Sequence, residues 1–220
     1  MDTLIGTVPD AWRVHRLDEC CHVQPGPSGT TLKSSEYIIG GIPVVNAKDV
    51  GPDGISPGPA ASVSVETAER LRRYRLEPGD ILFVRVGVTT RHTMATEQQD
   101  GWLLGGSTIY VRAVQHTSPD YLACYLTHPA VKEWLAEHTR RGVLSTLNAR
   151  TVGALPLVLP PTDVQRAVIE VASIVDTKIH AHQQVIQTTQ ALRELLLPRL
   201  LAGELVAPEL RESAVRGADA

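Results

Sequence analysis

His180 and His182, and the run Cys20-Cys21-His22, are the residues whose types could hold a metal ion. Neither spacing serves that chemistry. Residues two apart on a helix point about 200° apart, so the two histidines cannot meet on one ion. Adjacent strand residues alternate between faces, so the cysteines and His22 diverge. The phosphate-cradling Gly-rich loop, the G-x-S-x-G elbow and the H-E-x-x-H zinc motif are missing from the sequence. So are the Gly-rich cofactor turn and Asn/Asp-Pro-Pro-aromatic motif of an adenine methyltransferase, and the clustered carboxylates with a lysine that a metal-assisted nuclease needs. The chain reads as a binding protein, not an enzyme, with no metal and no cofactor of its own.

What remains is cationic chemistry. Arginines cluster in "RLRRYR" from Arg70 to Arg75, in "RVGVTTR" from Arg85 to Arg91, and at Arg140-Arg141. Each could meet phosphates or be an ordinary solvated face. The formal net charge of -3 argues against a nucleic-acid binder that relies on its overall field.

Positioning such groups takes a fold, and 220 residues suffice for one substantial core plus an appendage. No run reaches the roughly 18 apolar residues of a membrane span. The N-terminal stretch lacks the basic and apolar regions of a secretory signal, so a cytoplasmic location is expected. An odd count of three cysteines without C-x-x-C spacing fits reduced thiols.

Residues 11 to 23 alternate as one or two half-buried strands, and "IPVV" at 42 to 45 is another. Gly51 to Ala60 is too rich in Gly and Pro for regular structure and reads as a surface loop. A helix is expected over Glu66 to Tyr74, then a turn at Pro78-Gly79 into the strand "ILFVRVG". A polar loop over Thr89 to Asp100 precedes one or two strands in "GWLLGGSTIYVRAV". Ser118-Pro119 and Pro129 open two helices, and a helical turn after Leu147 leads to the strand "LPLVLPP".

From Thr162 the pattern changes. Thr162 and Gln165 have capping-box spacing. Val168, Val171, Val175, Val185, Leu192 and Leu196 then recur at spacings of three and four or their multiples, with Ile179 and Ile186 widening the stripe. That is a coiled-coil-like seam, in which Lys178, His182 and Thr189 are polar positions able to fix register. It runs to Leu197, roughly 52 Å at the helical rise, where Pro198 is expected to stop it. A 150-residue globule is smaller than that, so the stripe calls for a partner outside the domain; the alternative is a helix folded back on it. The reading is α+β. A strand-rich domain with short helices spans 1–160, a long helix spans 161–198, and a tail spans 199–220, disordered after about 206.

The ordered series "GIPVVNAKDV", "YRLEPGDILFVRVG", "GWLLGGSTIYVR", "YLACYLTHPAVKEWL", "LNARTVGALPLVLPPTDVQ" and "LRELLLPRLLAGEL" resembles the specificity subunits of Type I restriction-modification systems. It covers most of the chain. Thr162 and Val164 depart from the Leu and Glu usual in that family around the Pro-Pro and Gln. The resemblance implies a half-length subunit: one target recognition domain and one spacer helix, where full-length members carry two of each with the helices antiparallel.

By that resemblance the chain reads double-stranded DNA for an adenine methyltransferase subunit, on which alone S-adenosylmethionine is expected. A restriction and translocase subunit is a possible further partner. The helix would form a homodimer and meet a methyltransferase helix through Val168, Val171, Val175, Ile179, His182, Val185, Ile186, Leu192 and Leu196. Candidate DNA contacts are polar or cationic loop residues: Lys33, Asn46, Lys48, Arg85, Thr89, Thr90, Arg91, Arg140, Arg141 and Asn148, with Arg91 and Lys33 foremost. Arg72 and Arg73 could serve phosphates. The competing reading is a degenerate half-subunit that occupies the methyltransferase as a structural or inhibitory partner without reading DNA; a free-standing enzyme is a third.

Overall fold

The computed structural model describes residues 1–51, 54–59, 61–114, 116–139 and 145–202. It is mixed helix and strand, in two compact units, Met1–Ile169 and Glu170–Ala220.

The first unit is built around an antiparallel sheet in the order His92–Met94, Ile81–Val84, Thr108–Ala113, Cys21–Pro25. The run "ILFV" is buried throughout because its side chains alternate between two cores. Ile81 and Phe83 join Ile109 and Val111 in one core with the helices Pro119–Leu126, Pro129–His138 and Ala149–Gly153. Leu82, Val84 and Tyr110 enter the other. That second core is closed by a four-stranded sheet in the order Leu103–Leu104, Ile42–Val45, Ser62–Val63, Tyr37–Ile38 and by the helix Val65–Arg70. Leu103–Leu104 pairs parallel to Ile42–Val45; the other pairs are antiparallel.

Pro156–Leu159 returns to pair with Arg13–Arg16, and the Tyr121 and Tyr125 hydroxyls donate to the carbonyls of Val158 and Pro156. Ser118 caps its helix as its residue type dictates, with Pro119 at the first position. One buried ion pair locks the sheet's base. Asp80, closed off from solvent, accepts two bonds from Arg112, whose guanidinium also reaches Glu77 and the Arg75 carbonyl.

Several local expectations are corrected. Gly51 to Ala60 is not wholly irregular, because Gly54–Ile55 pairs antiparallel with Val50–Gly51 around Gly54 at φ 127°. The strands expected over 11 to 23 are separated by a short helix, Leu17–Cys20, whose Leu17 is buried in the core. The stretch Thr89 to Asp100 is not all loop: His92–Met94 is an edge strand and Glu97–Gln99 a 3-10 turn, because pairing to Ile81–Val84 overrides its polar composition. Thr162 and Gln165 form no capping box. Thr162 is already the first helical residue, and the Gln165 backbone N–H donates to the Pro161 carbonyl. The Gln165 side chain is only 2% exposed and turns into the domain instead. Its Nε2 donates to the His116 and Pro160 carbonyls, and its Oε1 accepts from the Ser118 N–H. It therefore latches the long helix to the loop before Pro119–Leu126, satisfying three backbone groups at once.

Nor does Pro198 stop the long helix, which spans Thr162–Leu201, 40 residues or roughly 60 Å. Proline removes one bond, to the carbonyl of Glu194, and the turn beyond it closes again when the Ala202 N–H donates to the Pro198 carbonyl. Within Glu170–Ala220 the described helix has no second element to pack on, and its apolar stripe is exposed, with Val171 at 64%. The tail from Gly203 onward lies outside the described residues.

Candidate nucleic-acid interface

Several loops meet at one end of the two four-stranded sheets. The hub is Gly105-Gly106-Ser107, between Leu103–Leu104 and Thr108–Ala113. Ser107 Oγ bonds Asn46 Oδ1 and accepts from the Ala47 N–H, which brings in the turn Ala47–Asp49. Arg85 donates from its backbone to the Ser107 carbonyl and from its guanidinium to the Gly106 carbonyl. Gly26 lies so close that a Cβ there would stand 1.8 Å from the Gly105 oxygen. Only glycine allows two backbones to approach this way.

The hairpin tip after Ile81–Val84 is pinned on its far side by a fourth segment. The Leu147 N–H donates to the Arg85 carbonyl, the Gly87 N–H to the Ser145 carbonyl, and Val86 bridges Thr146. Gly87 has φ of 96°, a left-handed turn that glycine makes without strain.

The candidate residues fall into distinct places. Arg85, Thr90, Arg91, Asn46, Lys48 and Asn148 lie on these converging loops. Lys48 is exposed, Arg85 and Arg91 are half-buried, and neither arginine is in an ion pair with a described carboxylate. Arg91 Nε is buried without a hydrogen-bond partner among the described residues. Thr89 is buried against the Thr139 hydroxyl and props the hairpin. Asn148 caps Ala149–Gly153 by accepting from the Thr151 N–H. Lys33 is exposed on a different stretch, before the turn Ser34–Glu36 that Arg70 ties down through Glu36 and the Thr31 carbonyl. Arg140 and Arg141 lie outside the described residues. Arg73 stacks on Tyr74 and bonds its hydroxyl.

The charge around this end is one-sided. The stretches 20–35, 37–48, 81–96, 101–119 and 138–162 contain no Asp or Glu, and Gly26, Asn46, Lys48, Arg85, Arg91, Gly105-Gly106-Ser107 and Ser145 to Asn148 all lie in them. Asp49, which ends the turn Ala47–Asp49, is buried and bonded to the Asn46 N–H. The chain's net negative charge therefore resides elsewhere, and a local excess of arginine and lysine faces solvent here. This signal is present in the sequence, yet it becomes visible only when the five stretches are known to meet.

The Cys20-Cys21-His22 run is split by structure, Cys20 ending the helix Leu17–Cys20 and Cys21 opening a strand. Burial pushes the Cys21 thiol up to about 12, so it stays protonated as a free thiol. Among the described residues no cluster of three His, Cys, Asp or Glu could hold a metal, and no helix is long and apolar enough to cross a membrane.

At the start of the long helix, Gln165 and the partly buried Ile169 face the domain, and Val168, three residues after Gln165 and so at the edge of the same face, keeps 37% of its surface in solvent. The strongly exposed part of the stripe begins one turn later, at Val171.

The sequence pattern of the family described as Type I restriction modification DNA specificity domain matches residues 9–190. The specificity subunit of the Type I restriction enzyme EcoBI from Escherichia coli is 20% identical over 211 residues, 91% of this chain and 43% of that protein. The HsdS subunit from Thermoanaerobacter tengcongensis superposes with a TM-score of 0.64 at 20% identity, covering 91% of this chain and 47% of that one. A chain from a study of complex assembly and conformational transition of the type I R-M system gives 0.65 at 20% identity, over 89% and 45%. The chain thus spans less than half the length of these relatives.

Proposed function

Since the chain belongs to the family of Type I restriction-modification DNA specificity domains, we propose that it is a sequence-reading subunit that places DNA in a partner adenine methyltransferase and is itself no catalyst. The supporting observation is the carboxylate-poor end of the domain, where loops carrying Arg85, Arg91, Lys48 and Asn46 converge around Gly105-Gly106-Ser107. Arginine pairs bidentately with guanine and asparagine with adenine in the major groove, and lysine or arginine meets phosphates between them.

Two copies joined through the long helix would present two such ends and so read two inverted half-sites at a fixed spacing. The charge pattern of the helix favours an antiparallel pair. Its first half carries Asp163, Glu170 and Asp176 against Arg166 and Lys178, and its second half Arg193 and Arg199 against Glu194. Antiparallel copies set the acidic half on the basic half and oppose the helix dipoles. The apolar face is also wider than one partner covers. Ile174 and Leu195 flank the seam on one side, and Ile179, Ile186 and Leu200 on the other, all exposed. A second copy and a methyltransferase helix together would close it, in the cytoplasm, with S-adenosylmethionine on the methyltransferase and a translocating nuclease chain joining where the system has one.

The test is a domain exchange. Residues 1–160 are replaced by those of another specificity subunit, and modified sites are mapped by methylation-sensitive sequencing with the cognate methyltransferase present. A new bipartite motif is expected. An unchanged motif would instead make the chain a structural or inhibitory partner that does not read DNA.

A further inference from the structure

The hairpin tip between Arg85 and Arg91 carries two valines that no core claims. Val86 is 40% and Val88 60% exposed. Isolated exposed valines are ordinary on loops, but these two stand on an unusually constrained one. Val86 bridges Thr146, the Gly87 N–H is held by Ser145, the Arg91 N–H donates to the Val88 carbonyl, and the buried Thr89 hydroxyl bonds Thr139. The tip is fixed from both flanks, so presenting these side chains costs little further ordering on binding.

Two neighbouring valines make too small an apolar patch for a stable protein interface, which takes about 20–30 residues a side. Their surroundings select another surface. An arginine stands at each end of the tip, and no Asp or Glu occurs from 81 to 96 or from 138 to 162. A rigid tip that is cationic at its base and apolar at its point matches the major groove of a DNA duplex. There the phosphates are anionic, and the one apolar group on any base edge is the 5-methyl of thymine.

We propose that Val86 and Val88 contact a thymine methyl group in each half-site and so determine specificity, while Arg85 and Arg91 serve guanine edges or phosphates beside them. This rests on the reading of the chain as a DNA-recognition subunit and deepens it, naming the base class that one loop selects.

The experiment uses the full chain in complex with its methyltransferase. Once the motif is mapped, synthetic duplexes replace each motif thymine in turn with deoxyuridine, which pairs identically and lacks only the methyl. Wild-type complex should bind one such duplex per half-site about fourfold more weakly, the worth of one buried methyl-sized group. The same substitution should be neutral for the Val86→Ala/Val88→Ala variant, whose exposed positions leave folding intact. A motif without thymine overturns the proposal, as does a flat deoxyuridine series or a penalty that persists in the variant. If the variant instead loses the methyltransferase while the deoxyuridine penalty stays, the valines belong to a protein interface and the proposal fails. Should the domain exchange change the motif while the deoxyuridine series is flat, only this inference falls; should the exchange leave the motif unchanged, the DNA-reading role itself falls.

Discussion

Leu82, Phe83 and Ile109 in the domain are closed off from solvent, while Val171, Ile174 and Leu195 in the helical unit are mostly exposed, although both regions draw on the same aliphatic residue types. The domain's sheets and helices supply one another with partners, so each apolar side chain finds a neighbour within the unit. A lone helix cannot do that. Its apolar stripe has heptad spacing rather than random scatter, which is the pattern of a surface that another helix completes. The same hydrophobic effect therefore holds a fold together in one region and, on the proposed reading, would drive assembly in the other.

The difference can be broken most forcefully on the helix. Val171→Asp together with Val175→Asp should abolish assembly and with it site-specific methylation by the complex, because charges would be buried at the pairing surface. Light scattering would report a monomer and sequencing an unmodified genome, while the domain's thermal unfolding stays in place. Unchanged mass and activity would mean that the stripe is not the pairing surface.

In the domain, Phe83→Ala should cost about 3–5 kcal/mol in denaturant unfolding through the cavity it leaves. A truncation of the isolated helix face, Val171→Ala, should stay within about 0.5 kcal/mol by the same measurement on unassembled chain. Near-equal losses would erase the contrast.

Gln165→Ala tests the latch between the regions' shared helix and the domain loop. It would leave the Ser118 N–H and the His116 and Pro160 carbonyls without their partner, for a loss of about 2–3 kcal/mol. A loss no larger than that of an exposed neighbour such as Arg166→Ala would show the latch to be incidental.

The smallest effect is on pH dependence. Burial on the edge strand, against Phe83, holds the His92 imidazole below its ordinary value; its bond to the Thr90 carbonyl opposes this and Lys132 adds to it. A depressed folded value means that protonation favours the unfolded chain. This contribution to stability is thus present above about pH 6.5, the unfolded value, and lost as pH falls through the folded one. His92→Phe should flatten that part of the stability profile; an unaltered slope would assign it to another group.

Much of the architecture was legible in local pattern. "ILFV", "IPVV" and "PLVL" are strands, the Ser118-Pro119 and Pro129 starts are helix starts, and the long helix follows from its spacing. These features depend on residues a few positions apart, where periodicity and capping chemistry act. His92–Met94 escaped because its strand character comes from a partner strand rather than from its own residues. Gln165 escaped for a related reason. Thr-x-x-Gln satisfies a capping box on paper, but partners 47 and 49 positions away competed for the amide and won. The candidate interface was half legible. Arg85, Arg91, Asn46 and Lys48 follow from residue type and loop position, whereas Thr89's burial and the pinned valines between the arginines do not.

The sequence by itself determined the α+β class, the heptad spacing of the long helix, and five stretches without a carboxylate. Each of these is a property of neighbours along the chain, fixed by side-chain type and spacing. Only the tertiary structure decided that those five stretches meet at Gly105-Gly106-Ser107. That meeting rests on backbone contacts between residues far apart in sequence, Gly26 on Gly105 and Ser145 on Gly87 among them. Backbone groups are common to all residues, so no sequence pattern marks which distant pairs will join; packing of the two cores on either side of "ILFV" does.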